Sequence, residues 1–450
     1  MHEVRAPDSP LSREVLLPAE RFIYSETISG ALLLLCAIAA LAWANSPWSE
    51  SYFALRDTPV SLKIGGFSLA LDLQHWINDG LMAIFFFVVA LEIKRELIHG
   101  NLSDPRKAAL PVLAALGGMI LPAGIYFAVN FGGKGAAGWG IPMATDIGFT
   151  VAILALLGSR VPAGLRLFLL TFAIADDVGA ILVIAIYYTA HFSLLAAGLG
   201  LAVLGLMLAM RWLGFSSPLA YLFPAVLFWV AMIKSGVHAT IAGVILGAIT
   251  PSKSPGNKHT FVQAVRKNLP VVRDALDNEK AERVEVGLGR IEELARQTES
   301  PLERLERMVH PWASYLVLPV FALMNAGVAF SAEFIRQAFA SAVTWGVMAG
   351  LLAGKVAGVT VFSWLSVRLG WAALPDGVGW RHIVGAGLIG GVGFTVSLFI
   401  TGLAFTDKVL VEEAKVGVLA ASLIAALSGY LFLLAVSRGR KQSEHRGEGV

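Results

Sequence analysis

Two adjacent aspartates, Asp176 and Asp177, stand in the middle of an apolar run, Leu169-Leu170-Thr171-Phe172-Ala173-Ile174-Ala175-Asp176-Asp177-Val178-Gly179-Ala180-Ile181. A carboxylate at the centre of a bilayer costs about 2.5 to 3.5 kcal/mol on insertion scales, so such residues usually mark an ion or proton path. Neighbouring helical positions point about 100° apart, so the two acids cannot face one cavity equally. One is expected to bond an adjacent helix while the other meets water. Close carboxylates do not both ionise cheaply. Near neutral pH the pair can therefore hold protons or a hard cation such as Na⁺ or Li⁺, and a bound cation expels protons. Mutually exclusive occupancy is the chemistry of exchange. Two carboxylates paired for packing alone are the weaker reading.

Two more charged residues fall inside apolar runs. Asp146 lies in Ile141-Pro142-Met143-Ala144-Thr145-Asp146-Ile147-Gly148-Phe149, where proline, threonine, aspartate and glycine interrupt the run. Irregular backbone at membrane depth is tolerated where it lines a cavity or is packed in protein, so a broken helix is expected here. Such a break leaves half-helix ends, positive at amino ends and negative at carboxyl ends. Asp146 can offset the first kind; a plain cap on a kinked helix is the alternative. Lys355, in Gly350-Leu351-Leu352-Ala353-Gly354-Lys355-Val356-Ala357-Gly358, could offset negative ends, pair with Asp176 in one state, or release its proton. Its mid-span position argues against snorkelling to the interface. A second interruption falls in Leu388-Ile389-Gly390-Gly391-Val392-Gly393-Phe394-Thr395-Val396-Ser397.

Weaker signals lie toward the membrane surfaces. Glu92, beside Lys94 and Arg95, and Glu306 with His310 flank one predicted mouth, and histidine titrates in the physiological range, so this cluster could sense pH. Most surface glutamates and histidines sense nothing. The same holds for His238, in Lys234-Ser235-Gly236-Val237-His238-Ala239-Thr240 near the opposite surface.

The elements that must position these residues follow from composition. Charged residues make up 15% of the 450 and hydrophobic ones 56%, against about 25% charged in soluble proteins. Apolar runs approaching the ~20 residues needed to cross a bilayer recur along the chain. Splitting them at turn and charge clusters predicts twelve spans near 22–44, 74–97, 108–130, 137–157, 163–189, 193–210, 217–233, 235–250, 309–330, 342–367, 382–404 and 414–436. The first is read as a retained helix rather than a signal peptide. With the amino terminus cytoplasmic, 27 Lys and Arg face the cytoplasm against 7 opposite, and 16 against 7 without the long loop. Both termini are therefore predicted cytoplasmic, with Lys355 the one basic residue inside the membrane.

The interruptions in spans four and eleven lie seven spans apart, as an inverted repeat of spans 3–5 against 10–12 would place them. The organisation expected is a cytoplasmic segment over 1–21, spans 1–8 over 22–250, a charged cytoplasmic loop over 251–308, spans 9–12 over 309–436 and a cytoplasmic tail over 437–450. Within the loop Ala281, Val284, Leu288, Ile291 and Leu294 recur at helical spacing and predict an amphipathic helix, as a surface element or a plain solvated insert. The single cysteine, Cys36, excludes an intrachain disulfide framework and a thiolate metal site. The net charge of +3, spread between apolar runs, carries no nucleic-acid signal.

On these residues the chain closely resembles the NhaA-type sodium/proton antiporters. The resemblance runs from Trp76-Ile77-Asn78-Asp79-Gly80-Leu81-Met82 through Leu91-Glu92-Ile93-Lys94-Arg95-Glu96-Leu97, Ala144-Thr145-Asp146-Ile147, Ala175-Asp176-Asp177, Lys234-Ser235-Gly236-Val237-His238-Ala239-Thr240, His310-Pro311-Trp312 and Gly354-Lys355. NhaA antiporters are themselves a standing example of paired interrupted spans. The resemblance implies an all-α membrane protein of twelve helices with two crossed discontinuous helices, forming a homodimer in the bacterial inner membrane. It implies that Asp177 and Asp176 bind the cation and protons, that Asp146 and Lys355 balance charge at the crossing, and that Thr145 lies beside the site. Glu92, Glu306, His310 and His238 would belong to the pH response. No cofactor and no organic substrate are expected, the cargo being Na⁺ or Li⁺ and H⁺. The insert near 252–300 departs from the shorter family loop.

Three rival readings are set against antiport. A sodium-coupled symporter would move an organic solute and has no evident need for two adjacent acids plus Lys355. An intramembrane aspartyl protease with Asp146 and Asp176 as its dyad lacks the Gly-x-Gly-Asp signature and leaves Lys355 unexplained. A channel would pass sodium current without proton coupling.

Overall fold

The structure is a computed structural model that describes residues 10–64, 67–188, 193–215, 218–253 and 299–447. Its main helices are α1 (Pro10–Ala44), α2 (Met82–Ile98), α3 (Pro105–Val129), α4 (Ile147–Leu157), α5 (Ala163–Tyr187), α6 (Leu194–Trp212), α7 (Pro218–Ser235), α8 (Ala239–Ile249), α9 (Pro301–Trp312), α10 (Leu318–Asn325), α11 (Ala342–Ala349), α12 (Lys355–Arg368), α13 (Trp380–Gly390), α14 (Phe394–Ala404) and α15 (Lys408–Gly447). Among the described residues, six helical stretches are long and apolar enough to cross a membrane, or up to eight if each bent pair counts as one span. The amphipathic helix expected from Ala281 to Leu294 lies outside the described residues.

Burial is inverted relative to a soluble protein. Ile186 and Leu194 are each 80% exposed, whereas Asp176 and Lys355 are 0% exposed. Lipid accepts the apolar exterior, and polar groups must find their partners inside.

Both predicted interruptions are real breaks. The 3₁₀ segment Lys134–Met143 and α4 meet at 41°, and α13 and α14 meet at 48°. Pro142 and the extended backbone of Ala144 and Asp146 stop the first half-helix; Gly390, Gly391 and Gly393 weaken the second. Three π-helical turns, Ile77–Leu81, Ala313–Val317 and Gly350–Gly354, sit within otherwise α-helical stretches. The last leads directly into Lys355. Such wide turns often accompany functional positions.

Around this centre α3 packs on both α5 and α12, α13 packs on α12 and α15, and α8 packs on α2. The α3–α12 contact brings main chain against main chain, since a Cβ on Gly358 would stand 2.1 Å from the Gly117 carbonyl oxygen.

Two features were not anticipated. Strands β1 (Pro59–Ile64) and β2 (Phe67–Asp72) form an antiparallel hairpin, with Val60 opposite Leu71 and Leu62 opposite Leu69. The period-2 pattern of Val60, Ser61, Leu62 and Lys63 carried that signal. Lys355 is also not alone in being buried. Lys415, at the start of the twelfth predicted span, is 3% exposed, with its ammonium donating to Glu412 at 3.0 Å.

The glycine contact yields a direct test. Gly358→Ala should destabilise the protein by about 1 to 3 kcal/mol, the usual cost of overpacking, and lower its melting temperature in detergent. Gly124→Ala, on α3 with nothing within 4 Å of the added methyl, should leave it unchanged.

Candidate functional site

The site forms where the two helix breaks meet α5 and α12. The Asp146 main-chain N–H donates to the Val392 carbonyl at 2.7 Å, tying the first break to the second. One Asp146 carboxylate oxygen accepts the Phe149 N–H at 3.1 Å and so caps α4. The other accepts the Thr395 N–H at 3.0 Å and the Thr395 hydroxyl at 2.5 Å, at the start of α14. One buried carboxylate thus serves two half-helix amino ends, where negative charge is favoured. The opposite ends are served by hydroxyls: Thr145 donates to the Gly390 carbonyl at 2.8 Å and Ser397 to the Ile141 carbonyl at 2.7 Å. Orphan carbonyls at membrane depth need such partners.

The adjacent acids divide as helical spacing requires. Asp176 receives Lys355 Nζ on both oxygens, at 2.9 and 2.8 Å, and neither side chain has exposed surface. The Thr145 main-chain N–H also faces Asp176. Of the three options for Lys355, the observed one is the pair with Asp176. Asp177 is 3% exposed, and its Oδ2 has no hydrogen-bond partner among the described residues. It lines a cavity with Asp146, Thr395, Ser314, Glu92 and His310. An oxygen left unpaired at such depth is available to a proton or a cation.

That cavity connects the centre to the predicted mouth. His310 Nε2 lies 3.3 Å from Glu92 Oε1. Arg95 pairs with Glu306 beside them. Burial pushes the Glu306 carboxyl up to about 7, against the pull of Arg95. Glu306 is therefore neutral below that pH and charged above it, so its ion pair with Arg95 forms as pH rises. His238 stands apart from this group. Its Nε2 meets the carbonyl of Tyr188, just past the end of α5.

The structure therefore gathers Asp146, Thr145, Asp176, Asp177 and Lys355 in one centre, and Glu92, Glu306 and His310 in another that shares its cavity. Thr395 and Ser397 were not singled out from the sequence. Their signal was a pair of hydroxyls directly after a glycine-rich break, where the first turn of a half-helix needs caps. Among the described residues no group of three or more His, Cys, Asp or Glu could hold a resident metal. A transported cation would instead draw on carboxylate and hydroxyl oxygens.

A bundle of apolar helices that buries a carboxylate pair and a lysine where two broken helices meet is built as a secondary ion transporter. The chain belongs to the Na⁺/H⁺ antiporter family: the profile described as "Na+/H+ antiporter 1" matches residues 20–433. It is 46% identical over 440 residues to the "Na(+)/H(+) antiporter NhaA" of Oleidesulfovibrio alaskensis, covering 97% of each chain. It is 45% identical over 424 residues to the "Na(+)/H(+) antiporter NhaA 2" of Sorangium cellulosum, covering 94% of this chain and 90% of that one. A protein of the same printed name from Myxococcus xanthus is 46% identical over 428 residues, with 94% and 90% covered. These relatives are transporters rather than enzymes.

The Arg95–Glu306 pair gives a titration test. Arg95→Ala removes the cation that favours the charged form, so the Glu306 carboxyl should titrate above its present value of about 7. Infrared or carbon-13 titration of that carboxyl would check this, and an unchanged or lowered midpoint would contradict the arrangement.

Proposed function

We propose that the protein exchanges cytoplasmic Na⁺ or Li⁺ for external protons by alternating access around the Asp176–Asp177 pair, moving more protons inward than cations outward. The observation that supports this reading is the unequal state of the two acids: Asp176 is held by Lys355 at 2.8 Å, while Asp177 lines the cavity and keeps one buried oxygen without a hydrogen-bond partner among the described residues. In the proposed cycle a cation reaches Asp177 from the Glu92–His310 mouth and displaces protons from the pair. Asp176 then leaves Lys355 to share the cation. Reopening to the other side releases the cation, and protonation with re-formation of the Lys355 pair resets the centre.

Asp146 would hold the crossing of the two breaks through its four contacts and, with Lys355, balance the half-helix charges. Thr145 would fix Asp176 relative to α13. Two protons inward per Na⁺ outward would carry net charge, and a membrane potential contributes about 2.3 kcal/mol per charge per 100 mV. Glu92, Glu306 and His310 would set the pH response at the mouth, with His238 acting at the other surface.

We further propose twelve spans, a homodimer in the bacterial inner membrane and cytoplasmic termini. The basic-residue asymmetry, 16 against 7 even without the long loop, supports the orientation. The bacterial sources of the relatives support the location. No organic solute is part of this scheme.

Proteoliposomes with an imposed pH gradient test the reading. Wild-type protein should show Na⁺-dependent proton movement, and Asp177→Asn should reduce it to background, since an amide can neither take up and release the proton nor offer the cation a charged oxygen. Asp176→Asn should do likewise. Normal exchange in either variant would show the mechanism to be wrong.

A further inference from the structure

Lys355 has a second neighbour that the cycle above leaves unused. Phe172 lies one helical turn before Asp176 on α5 and has no exposed surface. Its ring centroid is 5.6 Å from Lys355 Nζ. Residues four apart on a helix share a face, so ring and carboxylate approach the same ammonium from one side. The face of an aromatic ring is electron-rich and attracts an ammonium within about 6 Å.

The ring is held in this position. Phe168 stacks against it at 6.2 Å with an interplanar angle of 15°. Glycines on two neighbouring helices leave the space it fills: a Cβ on Gly390 would stand 3.2 Å from the ring and one on Gly118 would stand 3.5 Å from it. The Gly118 Cβ would also come within 3.6 Å of Lys355 Cδ. The ammonium and the ring thus share one pocket between α3, α5, α12 and α13.

The charged groups facing Lys355 are Asp176 and Asp177, both on α5. Gly118 of α3 and Gly387 of α13, which pack beside Lys355, carry none. A cation shared by the two acids therefore leaves the ammonium buried without a carboxylate of its own. We infer that Phe172 is a positioning residue, whose ring face holds the Lys355 ammonium when Asp176 engages the transported cation. It keeps the released ammonium from competing with the cargo for the carboxylates. This rests on the exchange reading given above.

Fluorination of the ring tests the inference with little change of shape. Phe172 is replaced by 4-fluoro-, 3,5-difluoro- and 3,4,5-trifluorophenylalanine, and exchange is followed in proteoliposomes at fixed pH. Each fluorine weakens the ring face, so releasing Lys355 becomes costlier and Na⁺ binds less well. The apparent KM for Na⁺ should rise stepwise, roughly three- to tenfold across the series, with kcat changed much less. Phe172→Leu, which removes the ring, should continue the trend. A flat KM through the fluorinated series with exchange intact would overturn the inference. A change seen in Phe172→Leu alone would overturn it equally, since it would assign the residue to packing. Absence of exchange in the wild-type protein would instead remove the antiport reading itself.

Discussion

A lysine ammonium with no exposed surface requires a fixed counter-charge, and Lys355 finds it on both oxygens of Asp176 at 2.8 and 2.9 Å. Removing one partner from such a pair leaves an uncompensated buried charge, so neither residue can be considered alone. The surrounding helices are arranged to bring the two together. The π-helical turn Gly350–Gly354 delivers Lys355 into the bundle, and the close approach of α12 to α3 at Gly358 and Gly117 leaves no space between them. α5 packs on the same α3 and carries the acids. Asp176 is occupied, whereas its neighbour Asp177 lines the cavity and has one buried oxygen without a partner among the described residues. The proposed exchange draws on this asymmetry.

The breaks in the two discontinuous helices are the second requirement. A broken helix exposes main-chain groups that water cannot reach at membrane depth. Here Asp146 satisfies amino ends from both breaks, while the hydroxyls of Thr145 and Ser397 serve carboxyl ends across the crossing. Each of these bonds joins one break to the other, except the cap on α4. A shift of one half-helix would therefore disturb its counterpart. This linkage gives the centre a physical means of moving as a unit.

Much of this arrangement was legible in the sequence. Asp146, Asp176, Asp177 and Lys355 were conspicuous because charge inside an apolar run is costly, and Pro142 and the glycines near 390 marked the breaks. The division of labour between Asp176 and Asp177 was legible as a principle, because helical spacing separates them by about 100°. Pairing with Asp176 was one of three options open to Lys355, and the sequence did not choose among them, since that contact joins residues 179 apart in the chain and depends on the rotation of α5 against α12. Thr395 and Ser397 were hidden for another reason: a hydroxyl in an apolar segment is common and costs little. The hairpin Pro59–Asp72 was passed over because its alternation is short and lies between long helical runs. Lys415 stands at the edge of its predicted span, and its pairing with Glu412 appears only once the helix is built.

The central claim is that one buried carboxylate pair holds either a cation or protons. Isothermal calorimetry of Na⁺ binding to purified protein, repeated in buffers of different protonation enthalpy, measures this directly. The account predicts that wild-type protein releases protons as Na⁺ binds, so the observed heat varies with the buffer, and that Na⁺ affinity falls as pH is lowered. Na⁺ binding with a heat independent of buffer and an affinity independent of pH would contradict it.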